Sequence, residues 1–227
     1  MKQINPKKVL LGLLIVIGVL LTLNIISYLN LYYNHLDPES LFFRKTNFDE
    51  EKNAPSIFSA CLHFIASILL TIVGFSKLKI ENSKKFWWSL SFVFLFTGMD
   101  ELLRIHEKIG GSISNTYETS GILHFAWVIP YVLAVFLLAL FIFKPLFKLP
   151  KKTVINFIVA GFLFILGAVG VEMLTGWHIE HYQLDETKLF RIPDTFILST
   201  IEELLEMLGM SLFVYAILLF LKKYRLS

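Results

Sequence analysis

Long apolar runs constrain this chain more than any other feature of its sequence. Several of them approach or exceed the ~20 apolar residues that cross a bilayer core of about 30 Å, as in the early run VLLGLLIVIGVLLTLNIISYLNLYY. Hydrophobic residues make up 56% of the chain and charged residues only 17%, against roughly 25% charged residues in a soluble domain. The sequence therefore predicts an all-α, polytopic membrane protein and excludes an ordinary soluble domain.

The apolar runs predict six transmembrane helices in one bundle, so that residues 1–227 form a single transmembrane domain. The first run is far longer than the ~7–15 apolar residues of a signal peptide, and we interpret it as a retained helix. The predicted spans are residues 9–33, 57–76, 86–105, 121–147, 154–176 and 195–221.

Basic residues concentrate in four segments that lie on one side of this topology. The N-terminus, the loops after the second and fourth spans, and the C-terminal tail carry 14 of the 21 Lys and Arg residues. By the positive-inside rule these segments face the cytoplasm. The sequence thus predicts a multi-pass protein of the cell membrane, the inner membrane if the source is bacterial, with both termini cytoplasmic. Membrane lipid is the expected partner and nucleic acid is not; protein partners are not predicted.

The segment FTGMDELLRIHEKIGG, which ends the third run, is unusually rich in charge for a membrane helix. Asp100 lies fifteen residues from Lys85, or about 22 Å along a helix, and Glu206 lies at about 24 Å from the basic tail on the sixth span. His63 lies at about 21 Å on the second span. These groups are therefore expected at one level inside the hydrocarbon core. Ionisable groups there cost ~2.5–3.5 kcal/mol each, so they face a bundle interior or a cavity.

Three segments bring further acids to this level: MDELLRIHE, GVEMLTGWHIEH and STIEELLEMLG. The acids predicted to converge are Asp100, Glu101, Glu172, Glu202, Glu203 and Glu206. We expect Arg104 to pair with Asp100, four residues earlier on the same helix face. His106 falls on the opposite face of a regular helix and joins the group only if the backbone turns.

A divalent metal would satisfy an inventory of carboxylates and imidazoles, which suits zinc, iron or manganese. His178 and His181, three residues apart, could chelate one ion if WHIEH is helical. The full set of candidate metal ligands is Asp100, Glu101, Glu172, His178, His181, Glu202, Glu206, His63 and His124. The sequence contains neither a His-Glu-x-x-His motif nor the paired Glu-x-x-His motifs of di-iron bundles.

The function predicted from this inventory is a metal-dependent intramembrane hydrolase or oxidase that acts on a lipid or another membrane-dissolved substrate near the outer surface. Glu203, Glu206 and Asp100 are its candidate catalytic carboxylates, and Glu203 is a candidate general base. One alternative is a proton- or cation-linked transporter or channel, against which stands the scarcity of polar residues in the inner half of the spans. A non-catalytic membrane subunit held together by its polar layer is the other.

Overall fold

The computed structural model describes residues 4–34, 37–50, 52–76 and 84–225, and among these residues helix is the only regular secondary structure. They form nine α-helices. The helices are α1 (Pro6–Tyr33), α2 (Leu41–Thr46), α3 (Ala54–Phe75), α4 (Lys84–Leu103), α5 (Ile105–Ser114), α6 (Val128–Phe147), α7 (Lys151–Ile165), α8 (Glu172–His181) and α9 (Pro193–Arg225). The chain is therefore all-α, as the sequence predicts.

Among the described residues, five helical stretches are long and apolar enough to cross a membrane. They are Pro6–Tyr33, Ala54–Phe75, Val128–Phe147, Lys151–His181 and Pro193–Tyr224, and they correspond to five of the six predicted spans. The remaining prediction, residues 86–105, corresponds to α4, which has 20 residues but is not one of these five.

Helix starts follow local capping chemistry. The Asn5 side chain accepts the Lys7 backbone N–H at 3.1 Å, next to Pro6 in the first turn of α1. At the start of α3, Asn53 and Ser56 satisfy each other's backbone N–H groups in a capping box. These contacts replace hydrogen bonds that the first helical turn cannot make internally.

The apolar core lies between α3, α4, α7 and α9, toward the end of the bundle that holds the two chain termini. Leu70, Phe86, Phe157 and Ile217 contribute to it from these four helices. Helix α6 is different, because Val128 is the only buried residue among its 20. Most of α6 therefore presents apolar side chains to its surroundings, as a helix in contact with lipid does.

Two interruptions of helical geometry shape the opposite end of the bundle. Between α4 and α5, Arg104 adopts a left-handed backbone conformation with φ 56° and ψ 49°, so the chain turns after Leu103. Between α7 and α8, Leu166–Val171 form a π-helical turn. Such turns occur frequently at functional sites, because they re-aim the side chains that follow.

Candidate functional site

A large cavity opens at the end of the bundle opposite the termini, with a volume of about 1120 Å³. Its walls come from α3, α4, α5, α8, α9, the end of α7, the π-helical turn and the N-terminal half of α6. The segment that contains α2 closes over it with charged side chains, among them Arg44, Lys45 and Asp49. Each acid that the sequence predicts to converge lines this cavity: Asp100, Glu101, Glu172, Glu202, Glu203 and Glu206.

Asp100 organises the break between α4 and α5. One of its carboxylate oxygens accepts the His106 backbone N–H at 2.7 Å and lies 3.1 Å from His106 Nδ1. Its other oxygen accepts the Tyr131 hydroxyl at 2.8 Å. A left-handed conformation costs a residue such as Arg104 about 1–2 kcal/mol, and the hydrogen bonds to Asp100 offset that cost. The backbone thus turns, and His106 joins the cavity wall.

Both members of the predicted ion pair, Arg104 and Asp100, contact other residues. The Arg104 guanidinium pairs with Glu107, whereas the partners of Asp100 are His106 and Tyr131. The prediction assumed a continuous helix, in which positions four apart are neighbours. The turn at Arg104 removes that register.

One of the two ring nitrogens of His106, Nδ1, contacts Asp100. A carboxylate only accepts hydrogen bonds, so Nδ1 carries the proton in the contact with Asp100 and Nε2 is the basic nitrogen. The edge-on ring of Trp127, with centroids 5.2 Å apart, fixes the orientation of the imidazole. An imidazole oriented by a carboxylate at one ring nitrogen is an arrangement typical of a general base.

Trp127 connects this imidazole to the glutamates. Its indole Nε1 donates to a Glu172 carboxylate oxygen at 3.0 Å, and its ring packs edge-on against Tyr131. Glu172 in turn forms a side-chain hydrogen bond with Glu202 of α9. A carboxylate has no hydrogen to donate, so a proton shared by the two carboxyl groups would stabilise this contact. Glu206, one turn further along α9, interacts electrostatically with Glu203, Glu101, Glu172 and Asp100.

A glycine sets how closely the glutamates of α9 approach the π-helical turn. A side-chain carbon at Gly167 would lie 2.7 Å from the Glu202 carbonyl oxygen and 3.0 Å from Glu206 Cγ. Only a residue without a side chain fits such an approach of two helices. The carboxyl cluster therefore depends on the local sequence of the π-helical turn as well as on that of α9.

His63 lies at the inner end of the cavity and is 1% exposed. Its Nδ1 lies 3.0 Å from the Ser59 carbonyl oxygen, which only accepts, so this nitrogen carries the proton. Its Nε2 is buried without a hydrogen-bond partner. Of the predicted histidine ligands, His63 and His124 line the cavity, and His124 contacts Glu180 at 3.3 Å.

The other two predicted histidine ligands lie outside the cavity lining. WHIEH is helical, but His178 Nε2 lies 3.7 Å from Asp194. His181 is exposed and stacks on Trp177. The described residues contain no group of three or more His, Cys, Asp or Glu side chains placed to hold a metal ion. The metal-binding prediction is thus not supported by this arrangement.

Several residues that shape the cavity are not among the predicted site residues. Tyr131 and Trp127 lie in the predicted span 121–147, and only their hydroxyl and indole N–H groups indicate a buried hydrogen-bond partner. The fold of residues 37–50 over the cavity is fixed by Asn24, which donates to Thr200 at 2.9 Å and accepts the Phe48 N–H at 3.0 Å.

Asp49 is the clearest of these additions. Its surroundings raise its pKa from 3.8 to about 6, mainly because the neighbouring cavity walls keep water from part of the charged form, and secondarily because of the charges of Glu50 and Glu172. Asp49 thereby places a carboxyl group that titrates near neutral pH at the rim of the site.

The half of the bundle near the start of α1 and the end of α9 contains more buried polar groups than the sequence predicts. Ser67, Thr71 and Ser91 form a buried hydroxyl network between α3 and α4, with oxygen–oxygen distances of 2.7 to 3.0 Å. Ser67 lies one helical turn beyond His63 on α3. Polar groups therefore continue from the inner end of the cavity toward the far side.

Fold and cavity together define an all-helical protein with several helices apolar enough to cross a membrane. Within that class the chain belongs to a family described as a domain of unknown function, DUF8692, whose model matches residues 10–221. No curated protein and no solved structure matches the chain.

Proposed function

We propose that α4 is a sixth membrane span and that both termini lie in the cytoplasm. At 1.5 Å per residue, the 20 residues of α4 extend about 30 Å, the thickness of a bilayer core. The four basic segments supply the orientation. With this topology the cavity faces outward. Labelling of Glu118→Cys and Ser227→Cys, each combined with Cys61→Ser, tests it: a membrane-impermeant maleimide should label position 118 in intact cells and position 227 only after lysis.

We further propose that the cavity is the active site of an enzyme that performs acid–base chemistry on a membrane-dissolved substrate. The observation that carries this proposal is that one cavity contains both an oriented imidazole, His106, and a pair of interacting carboxyl groups, Glu172 with Glu202. Groups that differ in protonation within one site are the usual basis of acid and base assignments.

In this proposal His106 Nε2 accepts a proton from the substrate, and the Glu172–Glu202 pair supplies one. Asp100 is a positioning residue, because it holds His106 and Tyr131 rather than the substrate. Glu203 and Glu206 line the cavity and bind cationic charge. The enclosing walls strengthen each of these electrostatic interactions relative to water.

The experiment compares lipid turnover by purified protein in nanodiscs made from a total lipid extract. Mass spectrometry should show a substrate lost and a product formed by wild-type protein. His106→Phe and Glu202→Gln should reduce that turnover at least a hundredfold, whereas His181→Gln, outside the cavity, should retain it. Turnover that is equal in all four proteins would contradict the proposal. Elemental analysis of the same samples tests for zinc, iron or manganese, and a stoichiometric metal lost with Glu206→Gln would restore the metal-dependent mechanism.

A second candidate, proton-linked transport, is favoured by the hydroxyl network beyond His63. Ser67, Ser91 and Thr71 extend the polar groups toward the end that holds the termini. In proteoliposomes, pH-dependent proton flux abolished by Ser91→Ala would favour transport over enzymology. Flux equal to that of empty liposomes would remove this candidate.

A further inference from the structure

The inner end of the cavity presents hydrogen-bond acceptors rather than donors. His63 donates through Nδ1 to Ser59, so its buried Nε2 offers a lone pair that no group of the described residues occupies. A buried acceptor without a partner costs about 1–3 kcal/mol. The cavity therefore contains an atom prepared for a donor that the described part of the chain does not supply.

The acidic lining of the cavity favours a donor that carries a positive charge. Ten carboxylates line it among the described residues, against four Lys and Arg side chains. Two of these cations, Arg44 and Arg104, pair with Glu39 and Glu107 at the periphery. Acidic side chains thus outnumber basic ones around Glu206, and a cationic ligand at this level would stabilise their ionised forms.

The size of the cavity and the placement of its side chains favour an organic cation over a metal ion. Metal–oxygen and metal–nitrogen bonds are about 2.0–2.6 Å long, and the described residues contain no group of three acids or histidines placed for them. A volume of about 1120 Å³ is at the upper end of small-molecule sites, which span roughly 300–1,000 Å³. An ammonium group offers several N–H donors. Its hydrogen bonds are longer than metal–ligand bonds, so side chains too far apart to bind one metal ion can still contact it.

One wall of the cavity suits hydrocarbon. Val135 of α6, Phe164 and Ile165 of α7, and Ala168 and Val169 of the π-helical turn line it. This wall adjoins α6, in which only Val128 is buried. The side of the cavity next to α6 is therefore the one through which a molecule dissolved in the membrane would enter.

We infer that the cavity binds a membrane-dissolved primary amine, with its ammonium group between Glu206 and His63 Nε2 and its hydrocarbon part along the wall of Val135 and Ile165. This inference rests on the proposed function only in taking the cavity as the site, and it names the substrate class. It does not require His106 to act as a base.

The test measures binding of octylamine to the full-length protein in nanodiscs, by calorimetry and by quenching of Trp127 fluorescence. Three probes separate the contributions: octyltrimethylammonium keeps the charge without N–H donors, octanol keeps the chain without the charge, and propylamine keeps the ammonium with a short chain. Octylamine should bind saturably, and the other three should each bind at least tenfold more weakly. Propylamine binding as tightly as octylamine would show that the hydrocarbon chain does not contribute. The ligand would then be a water-soluble amine, and the inference of a membrane-dissolved ligand would be overturned.

Variants locate the site. Glu206→Gln and His63→Phe should weaken octylamine binding at least tenfold, and His181→Gln should leave it unchanged. Circular dichroism verifies the helical content of each variant, and the probe series on wild-type protein stands if a variant does not fold. Octanol binding as tightly as octylamine, or equal affinity in all variants, would overturn the inference. So would displacement of octylamine by one equivalent of Zn²⁺ or Mn²⁺.

The two experiments distinguish failure of the amine inference from failure of the proposed enzyme activity. Octylamine binding that depends on Glu206 while lipid turnover is indifferent to His106→Phe would leave the ligand class standing and remove the enzyme. Turnover that depends on His106 with no amine binding would do the reverse.

Discussion

The indole N–H of Trp127 donates to the Glu172 carboxylate across 3.0 Å, and this contact joins the break after α4 to the carboxyl pair of α8 and α9. Trp127 also packs against both His106 and Tyr131. One aromatic side chain thus touches the proposed base and the proposed acid.

We expect Trp127→Phe to lower the free energy of unfolding by about 1–3 kcal/mol, because it leaves a charged acceptor unsatisfied and reduces ring contact. A double-mutant cycle with Glu172→Gln, measured by chemical denaturation in detergent, should give a coupling energy above about 0.5 kcal/mol. Trp177→Phe on the exposed face of α8 is the matched control and should change stability by less than that. Strictly additive effects of Trp127→Phe and Glu172→Gln would contradict the contact.

Tyr131→Phe removes one hydrogen bond to Asp100 and should cost about 0.5–1.5 kcal/mol of stability. Asp100→Ala removes the acceptor of three contacts and should cost more, about 3–5 kcal/mol, in the range expected when one partner of a buried ionic contact is deleted. Thermal unfolding followed by circular dichroism measures both. Equal losses for the two variants would show that Asp100 does not organise the α4–α5 turn.

Arg104 tests the turn itself. Arg104→Asn should be tolerated, since asparagine enters the left-handed region readily, whereas Arg104→Val should lower stability by about 1–2 kcal/mol. Both variants lose the ion pair with Glu107, so their difference isolates the backbone conformation. If unfolding experiments gave the same stability for both, position 104 would not be left-handed.

Gly167→Ala should lower stability by about 1–3 kcal/mol, because the added carbon meets the Glu202 carbonyl oxygen at 2.7 Å. Gly161→Ala in the same helical stretch is the control: nothing lies within 4 Å of the added carbon, and alanine favours helix by up to about 1 kcal/mol. Opposite signs for the two substitutions are expected in the same denaturation assay.

Asp49 predicts a pH dependence. Its pKa is raised in the folded protein from 3.8 to about 6, so the folded state binds the proton more tightly and loses stability as pH rises through this range. Asp49→Asn cannot ionise. Relative to this variant, wild-type protein should lose melting temperature between about pH 4 and pH 6 and stay lower above it. Glu118→Gln in an exposed loop should follow the wild-type profile, and a pH-independent difference between wild type and Asp49→Asn would disprove the assignment.

The membrane character and the gathering of the acids could be predicted from the sequence, and the placement of the histidines could not. Apolar runs and distances from lysines are one-dimensional quantities, and they placed Asp100, Glu172 and Glu206 around one cavity correctly. The direction of His106 depends on one residue that leaves helical geometry, Arg104, which carries no sequence signal because arginine is an ordinary helix former.

The histidines of α8 show the same limit. His178 and His181 satisfy the spacing of a chelating pair, yet the first contacts Asp194 and the second stacks on Trp177. Spacing along a helix gives a shared face, but it does not say which neighbour that face meets. Contacts between segments distant in sequence, such as Asn24 with Phe48, decide that question.

The π-helical turn at Leu166–Val171 amounts to one additional residue wound into an otherwise regular helix. Each residue of an α-helix advances the next by about 100° around the axis. Shortening this turn by a single position, for instance by deleting Gly170, would swing Glu172 through about that angle and sever it from both Trp127 and Glu202. The orientation of the proposed acid therefore depends on the number of residues in the turn before it.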